Sequence, residues 1–220
     1  MLPLDWNDIH TALFDMDGTL LDLSFDNHFW QEAVPAAVAL QQGGEPGEAL
    51  ARLLPIFQAQ QGTLNWYSLP YWSDQLGIDL EALKRQHQHR IGWREEVIHT
   101  LTNLKAKGKT LWLVTNAHPV VLSLKLEQTG LSAYFEHLIS SHELGFAKEQ
   151  EGFWPRLAAA YPFDPQHTLM VDDSEAVLHA AKHFGIRYLL GILQPDSRHP
   201  HRQGLHFPAV DRFSELLHTL

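Results

Sequence analysis

The chain has 220 residues, 45% of them hydrophobic and 19% charged, the balance of a globular protein long enough for one good core and a smaller module. Its formal net charge is −10 with histidine neutral, and Lys and Arg form no block, so neither a nucleic-acid footprint nor a basic membrane-surface helix is expected. Cysteine is absent, which excludes disulfides and thiolate chemistry and fits a cytoplasmic setting.

In chain order, MLPLDWNDIH carries Asp5 and Asp8 and no basic or apolar leader pattern, so no signal peptide is expected. HTALF (10–14) reads as a buried strand and runs into FDMDGTLLD. A mostly helical stretch follows from about Leu23 to Gln88. Within it, Pro35 starts or kinks a helix, GGEPG (43–47) is a loop, and EALARLLPIFQAQ (48–60) has helical spacing until Pro55 interrupts it. TLNWYSLPYWSDQLG (63–77) is dense in aromatics, and Asp79 is placed to cap a helix over 79–89. The longest nearly apolar run, AVPAAVAL (33–40), is too short to span a bilayer.

After WREEVIHTLTNLKAKG (93–108), an amphipathic helix stopped by Gly108, the rhythm changes. Strands are predicted at TLWLVT (110–115), EHLISS (136–141), HTLMV (167–171) and RYLLGIL (187–193). Helices are predicted between them at 119–130, at 149–161 with an interruption near Pro155, and at 174–185 capped by Ser174. Alternation of this kind predicts an α/β fold, a doubly wound parallel sheet with right-handed crossovers. The helical stretch reads as an insertion between the first two strands.

Three polar clusters fall at the C-terminal ends of predicted strands: Asp15/Asp17, Thr115/Asn116 and Asp172/Asp173. That edge of an open parallel sheet is where ligands bind. Asp15, Asp17, Asp172 and Asp173 crowded into one volume would repel one another and take up protons unless a cation joined them. Mg²⁺, a hard ion for oxygen ligands that keeps waters for a phosphate oxygen, suits such a set. A phosphoryl group beside it would need donors, and the Thr115 hydroxyl with the backbone N–H groups that follow can supply them. Lys148, in GFAKE, is the best candidate for a charge clamp.

FDMDGT, VTN, a lone Lys and VDDS together resemble the haloacid dehalogenase superfamily of aspartate-nucleophile hydrolases, in that family's order and strand-end context. The insertion resembles the helical cap of its phosphatase branch, which implies a catalytic core at 1–22 and 93–220 and a cap at 23–92. FDNHFWQ, LNWYSLPYWSDQLG, LVTNAHP, KLEQTGL, VDDSEAVLHAA and FGIRYLLG carry a likeness to bacterial GMP/IMP nucleotidases over nearly the full length. The resemblance implies Mg²⁺ and an aspartyl-phosphate intermediate. It makes Asp15 the nucleophile and Asp17 the general acid and base, whose carbonyl oxygen also binds the metal. Thr115 and Asn116 would hold the transferring phosphoryl, and Lys148 would neutralise it. Asp173 would be the principal metal carboxylate, with Asp172 an inner- or outer-shell partner. Glu149 departs from the family, where Pro commonly follows the lysine. An acid at position 17 favours a phosphatase or phosphomutase over dehalogenases, which lack it.

GKT (108–110) is not a phosphate-binding loop, because the required glycine is Asn103 and a strand follows. HQH (87–89) and HPHRQGLH (199–206) read as solvated segments rather than zinc sites. Ser174 reads as a cap, not a nucleophile. Trp30, Trp66, Tyr67, Tyr71 and Trp72 are expected to form mostly the insertion's own core, with Trp66 or Tyr67 facing the cleft. Asn27, His28 and Asn65 are candidate readers of a base edge. The leading function is an Mg²⁺-dependent 5′-nucleotidase acting on a small phosphomonoester such as GMP or IMP, with no nucleic-acid or membrane partner. The alternatives are a sugar-phosphate phosphatase or phosphomutase and, of another class, a catalytically idle binding or regulatory protein.

Overall fold

The apolar run after His10 forms strand β1 (Thr11–Phe14), whose last three residues are buried. Four further predicted strands form as β2 (Thr110–Thr115), β3 (His137–Ser140), β4 (Thr168–Val171) and β5 (Tyr188–Ile192). A two-residue strand that the sequence did not announce, β6 (Ala209–Val210), closes the sheet. All pairings are parallel, in the order β3-β2-β1-β4-β5-β6. The computed structural model describes residues 4–219, so the first three residues of the N-terminal stretch lie outside the described residues.

Period-two alternation assigns the sheet its two faces. Ala12, Phe14, Leu111, Leu113, Leu169 and Val171 point into one buried cluster. Leu13, Trp112, Val114 and Met170 point into the other. The first face is covered by α7 (Val97–Ala106) and α8 (Pro119–Thr129), the second by α10 (Phe153–Ala160) and α11 (Glu175–Phe184). A one-turn helix, α9 (Ser141–Leu144), follows β3 directly.

Between β1 and β2 the described chain is helical: α1 (Ser24–His28), a π-helical turn (Phe29–Ala33), α2 (Val34–Gln42), α3 (Pro46–Gln58), α4 (Leu64–Tyr67), α5 (Leu69–Leu76) and α6 (Leu80–Gln86). Asp79 caps α6 by accepting the Ala82 N–H at 2.9 Å, as expected. Two proline readings need correction. α3 runs through Pro55, because the proline sits on the exposed side while Ala49, Leu53 and Phe57 keep one face buried. Interior proline costs about 3 kcal/mol, and burial of two large apolar side chains, at about 1.5–3 kcal/mol each, offsets it. Pro155 does not interrupt α10 either. It lies in the first turn, where a missing N–H breaks no helical hydrogen bond.

The insertion's buried side chains, among them Phe25, Phe29, Phe57, Trp72 and Leu80, join the cluster on the first sheet face. Trp30, Phe57 and Trp72 pack edge to face, with centroids 5.5 Å apart for Trp30–Phe57 and 4.9 Å for Phe57–Trp72.

Candidate active site

The order β2-β1-β4 explains why three separated motifs meet. Phe14 is in register with Leu113 on one side and Val171 on the other, so the residues just beyond these strand ends share one level. Asp15 is the first residue past β1, and its N–H donates to the Val171 carbonyl at 3.0 Å. The chain then turns at Gly18, whose φ is +83°. A Cβ there would meet the Asp173 carboxyl at 2.9 Å and Pro195 at 3.1 Å, so glycine is required both by the turn and by the close approach.

Lys148 is the centre of the arrangement and is 1% exposed. Its ammonium donates to Asp15 Oδ1 at 2.6 Å, Asp172 Oδ2 at 2.7 Å and the Val114 carbonyl at 3.1 Å. Three acceptors satisfy three donors. Burial opposes its charge, yet Asp15 and Asp172 outweigh burial and hold the lysine firmly protonated. The second oxygen of Asp172 accepts the Ser174 N–H at 2.8 Å. Ser174 in turn caps α11 through Val177, as its sequence position suggested.

Oxygens of Asp15, Asp172 and Asp173 lie within 4.8 Å of one another. Lys148 balances only part of this negative charge, and the group remains strained electrostatically. Burial pushes the Asp15 carboxyl up to about 6 despite Lys148. Asp173 is pushed well above its ordinary range, by burial first and then by Asp172 and Asp15. Asp173 makes backbone hydrogen bonds, its N–H to Thr19 Oγ1 at 3.1 Å and its carbonyl from Arg202 at 2.7 Å, which fix the residue while its carboxylate faces the other acids. The donor set therefore fits a hard divalent cation.

Asp17 departs from the converging set. Its carboxylate turns to Lys125 on α8, whose ammonium donates to Oδ1 at 2.5 Å. Burial still raises the Asp17 carboxyl to about 6, against the pull of Lys125. Thr115 is buried at the end of β2, and its Oγ1 accepts the Ala117 N–H at 3.0 Å, leaving its own hydroxyl proton for an acceptor in the cavity. That contact engages the Ala117 N–H, one of the backbone donors expected for phosphate. Asn116 uses both ends of its carboxamide to hold the next loop: Oδ1 accepts the Lys148 N–H at 2.9 Å and Nδ2 donates to Glu149 Oε2 at 2.9 Å.

A cavity of about 590 Å³ opens over these groups and runs under the insertion. Asp15, Asp17, Thr115, Asn116, Lys148, Asp172 and Asp173 line it together with Trp66, Tyr67, Phe57 and Leu54 of the insertion. Tyr67 is tied across the cleft by its hydroxyl, which donates to Glu149 Oε1 at 2.8 Å. Trp30, Trp66 and Trp72 all line the cavity; Trp72 is buried in the insertion's core, and Trp66 is half-buried and packs against that core. Of the polar residues expected to read a base, Asn27 reaches the cavity but donates to Asp196 at 2.7 Å. His28 turns instead to Glu32 and His87, and exposed Asn65 donates to Gln60. The cavity's amides beyond Asn27 are Asn116, Gln31, Gln58 and Gln61.

Reasoning from sequence missed Lys125, Asp26 and Lys84. Lys125 lies four residues after Val121 and three after Leu122, on the apolar face of α8; Lys84 lies four after Leu80 on that of α6. A lysine at an apolar-periodic position is the signal that could have found both.

The sequence model for haloacid dehalogenase-like hydrolases matches residues 9–185. The GMP/IMP nucleotidase YrfG of Escherichia coli (strain K12) is 45% identical over 219 residues, covering 100% of this chain and 99% of that protein. A phosphoglycolate phosphatase of Vibrio vulnificus (strain CMCP6) is 28% identical over 189 residues, 81% of each chain. Among solved structures, an HAD phosphatase from Thermococcus onnurineus matches with a TM-score of 0.78 at 23% identity, over 94% of this chain and 96% of that one, a likeness of fold.

Proposed function

The chain belongs to the haloacid dehalogenase-like hydrolases, and from that membership we propose that it is an Mg²⁺-dependent 5′-nucleotidase releasing phosphate from purine mononucleotides such as GMP and IMP. It is a phosphoric monoester hydrolase by kinship with its 45%-identical, full-length relative. The observation that carries the substrate class is a cavity of about 590 Å³ lined both by Asp15 and its neighbours and by aromatic and amide side chains. A phosphoryl group against the acids and a flat, polar-edged base against the aromatic and amide side chains suit that lining. Residues 23–92 act in this reading as a cap that supplies the aromatic lining.

Asp15 attacks phosphorus as the bond to the ester oxygen breaks, and Asp17 delivers a proton to that oxygen. Asp17 then takes a proton from water, which attacks the aspartyl phosphate, releases inorganic phosphate and restores Asp15. Lys148 balances negative charge at the nucleophile, and the Thr115 hydroxyl donates to the transferring group. Asn116 holds the Lys148 loop in register. The carboxylates of Asp15 and Asp173 and the Asp17 carbonyl would hold Mg²⁺, with Asp172 behind Lys148. When bound, the ion supplies positive charge for the phosphoryl oxygens.

A panel of phosphomonoesters assayed for phosphate release tests the reading. IMP and GMP should show kcat/KM about ten- to a hundredfold above ribose 5-phosphate, the worth of one stacked base at about 1–3 kcal/mol. Equal values on ribose 5-phosphate and IMP would reduce the protein to a general phosphatase. Trp66→Ala should lower kcat/KM for IMP by about tenfold or more while leaving a small aryl phosphate within about threefold. Equal losses on both substrates would remove Trp66 from base recognition.

A further inference from the structure

Beyond the groups that touch the reacting phosphoryl, four side chains, alternately acidic and basic, form an unbroken line of contacts. Asp17 Oδ1 meets Lys125 Nζ at 2.5 Å, and the same ammonium meets Asp26 Oδ2 at 2.6 Å. Asp26 Oδ1 then meets Lys84 Nζ at 2.8 Å. Both lysines are 1% exposed. Lys84 also lies over the Phe29 ring at 4.1 Å and the Phe25 ring at 4.8 Å, so apolar walls close the end of the line. The four residues come from the loop after β1, from α8, from α1 and from α6, which means the line leaves the sheet edge and ends inside the insertion.

Stability does not account for this arrangement. Two buried cations lose their water and two carboxylates lose most of theirs, and apolar replacements of similar volume are often no less stable. Geometry suggests what the line is for. Asp17 lines the cavity, with its side chain 23% exposed, and the Lys125 contact fixes one of its two oxygens. That contact restrains rotation of the carboxylate and leaves its other oxygen without a bond to Lys125. Proton transfer to a leaving oxygen demands that kind of placement, and errors of about 1 Å in placement cost on the order of a hundredfold in rate.

We propose that Lys125 is a positioning residue for Asp17, and that Asp26 and Lys84 make this positioning depend on the seating of the insertion. The proposal rests on Asp17 being the acid and base of the reaction. Recognition of the substrate by the insertion and readiness of the acid are thereby one mechanical event. A nucleotide that seats α1 and α6 correctly finds Asp17 aimed at its 5′ oxygen; a seating error loosens Asp26 and, through Lys125, the acid.

Leaving-group dependence tests this on the intact, Mg²⁺-loaded enzyme. Inosine is a poor leaving group and needs the proton; p-nitrophenolate leaves without one. Lys125→Met should slow single-turnover inosine release from IMP by about ten- to a hundredfold with KM within about threefold, while the first turnover of p-nitrophenyl phosphate changes by less than about threefold. Later turnovers of the aryl ester should slow, giving a burst of p-nitrophenolate, because hydrolysis of the aspartyl phosphate also uses Asp17. A merely structural lysine would lower all of these rates by one common factor, the active fraction, and that outcome overturns the proposal. Asp26→Asn is read in the same way and stands in if Lys125→Met does not fold. Lys84→Met should show the same split at smaller size, and an equal loss on both substrates would sever the insertion from the acid. Asp17→Asn is the control. If it shows no leaving-group dependence, the acid–base assignment itself has failed; if it shows the split and Lys125→Met does not, only the positioning role falls.

Discussion

Asp15→Asn is expected to lower phosphate release by at least about four powers of ten on every phosphomonoester, a loss of about 5–6 kcal/mol of transition-state stabilisation. Asn has nearly the same shape, and its carbonyl oxygen can keep the Lys148 contact that Asp15 Oδ1 makes at 2.6 Å. What it lacks is an anionic oxygen able to attack phosphorus. The fold should not suffer. Asp15 sits with two other carboxylates within 4.8 Å, and burial already pushes its carboxyl up to about 6. Removing one charge from that group relieves repulsion, so the metal-free variant should melt at the wild-type temperature or above it. Phosphate release assayed beside a thermal melt separates the two effects. Activity within tenfold of wild type would refute the nucleophile, and a melting point several degrees lower would refute the electrostatic account of the cluster.

The residues that made the site legible in the sequence are those whose chemistry and backbone position coincide. Asp15, Thr115 and Asp172 sit at strand ends, and β1 lies between β2 and β4, so local pattern plus one topological rule brings them together. Gly18 was legible as a turn, although its contact with Asp173 was not, because that contact depends on how the β4 loop returns. Strand β6 escaped notice because two residues, Ala209 and Val210, carry no periodicity. Pro55 misled because a local rule about broken helices competes with burial of Leu53 and Phe57, which only the assembled insertion reveals. The line from Asp17 to Lys84 was least legible, since its members are 99 and 58 residues apart at the two Asp26 contacts. Glu149 shows a further gap. Its place after Lys148 departs from the family pattern, but its bond to Asn116 depends on how the core loops meet, and its bond to Tyr67 on where the insertion meets the core.

Metal removal is expected to abolish activity, and the same cluster dictates how stability should respond to pH. With Mg²⁺ stripped by a chelator, phosphate release should fall by at least about three powers of ten and return when Mg²⁺ is restored. Mn²⁺, another octahedral oxygen binder, should substitute, while Ca²⁺, with longer and looser coordination, should inhibit. The folded-state carboxyl of Asp15 lies at about 6 against an ordinary value of 3.8, so folding favours its protonated form. Its contribution is complete below about 3.8 and disappears as pH rises through about 6. The metal-free protein should therefore lose stability across that window. Mg²⁺ competes with protons for the same oxygens, so the rise in melting temperature that it produces should be larger at pH 7.5 than at pH 5. Asp173→Ala should weaken Mg²⁺ binding more than Asp172→Ala. Asp172 is already engaged at both oxygens, by Lys148 at 2.7 Å and the Ser174 N–H at 2.8 Å, while Asp173 is held by its backbone and offers its carboxylate to the cluster. Full activity in excess chelator after verified metal removal would sink the metal assignment, a pH-independent melting shift would sink the proton competition, and the reverse order of the two variants in a Mg²⁺ titration would make Asp172 the principal ligand.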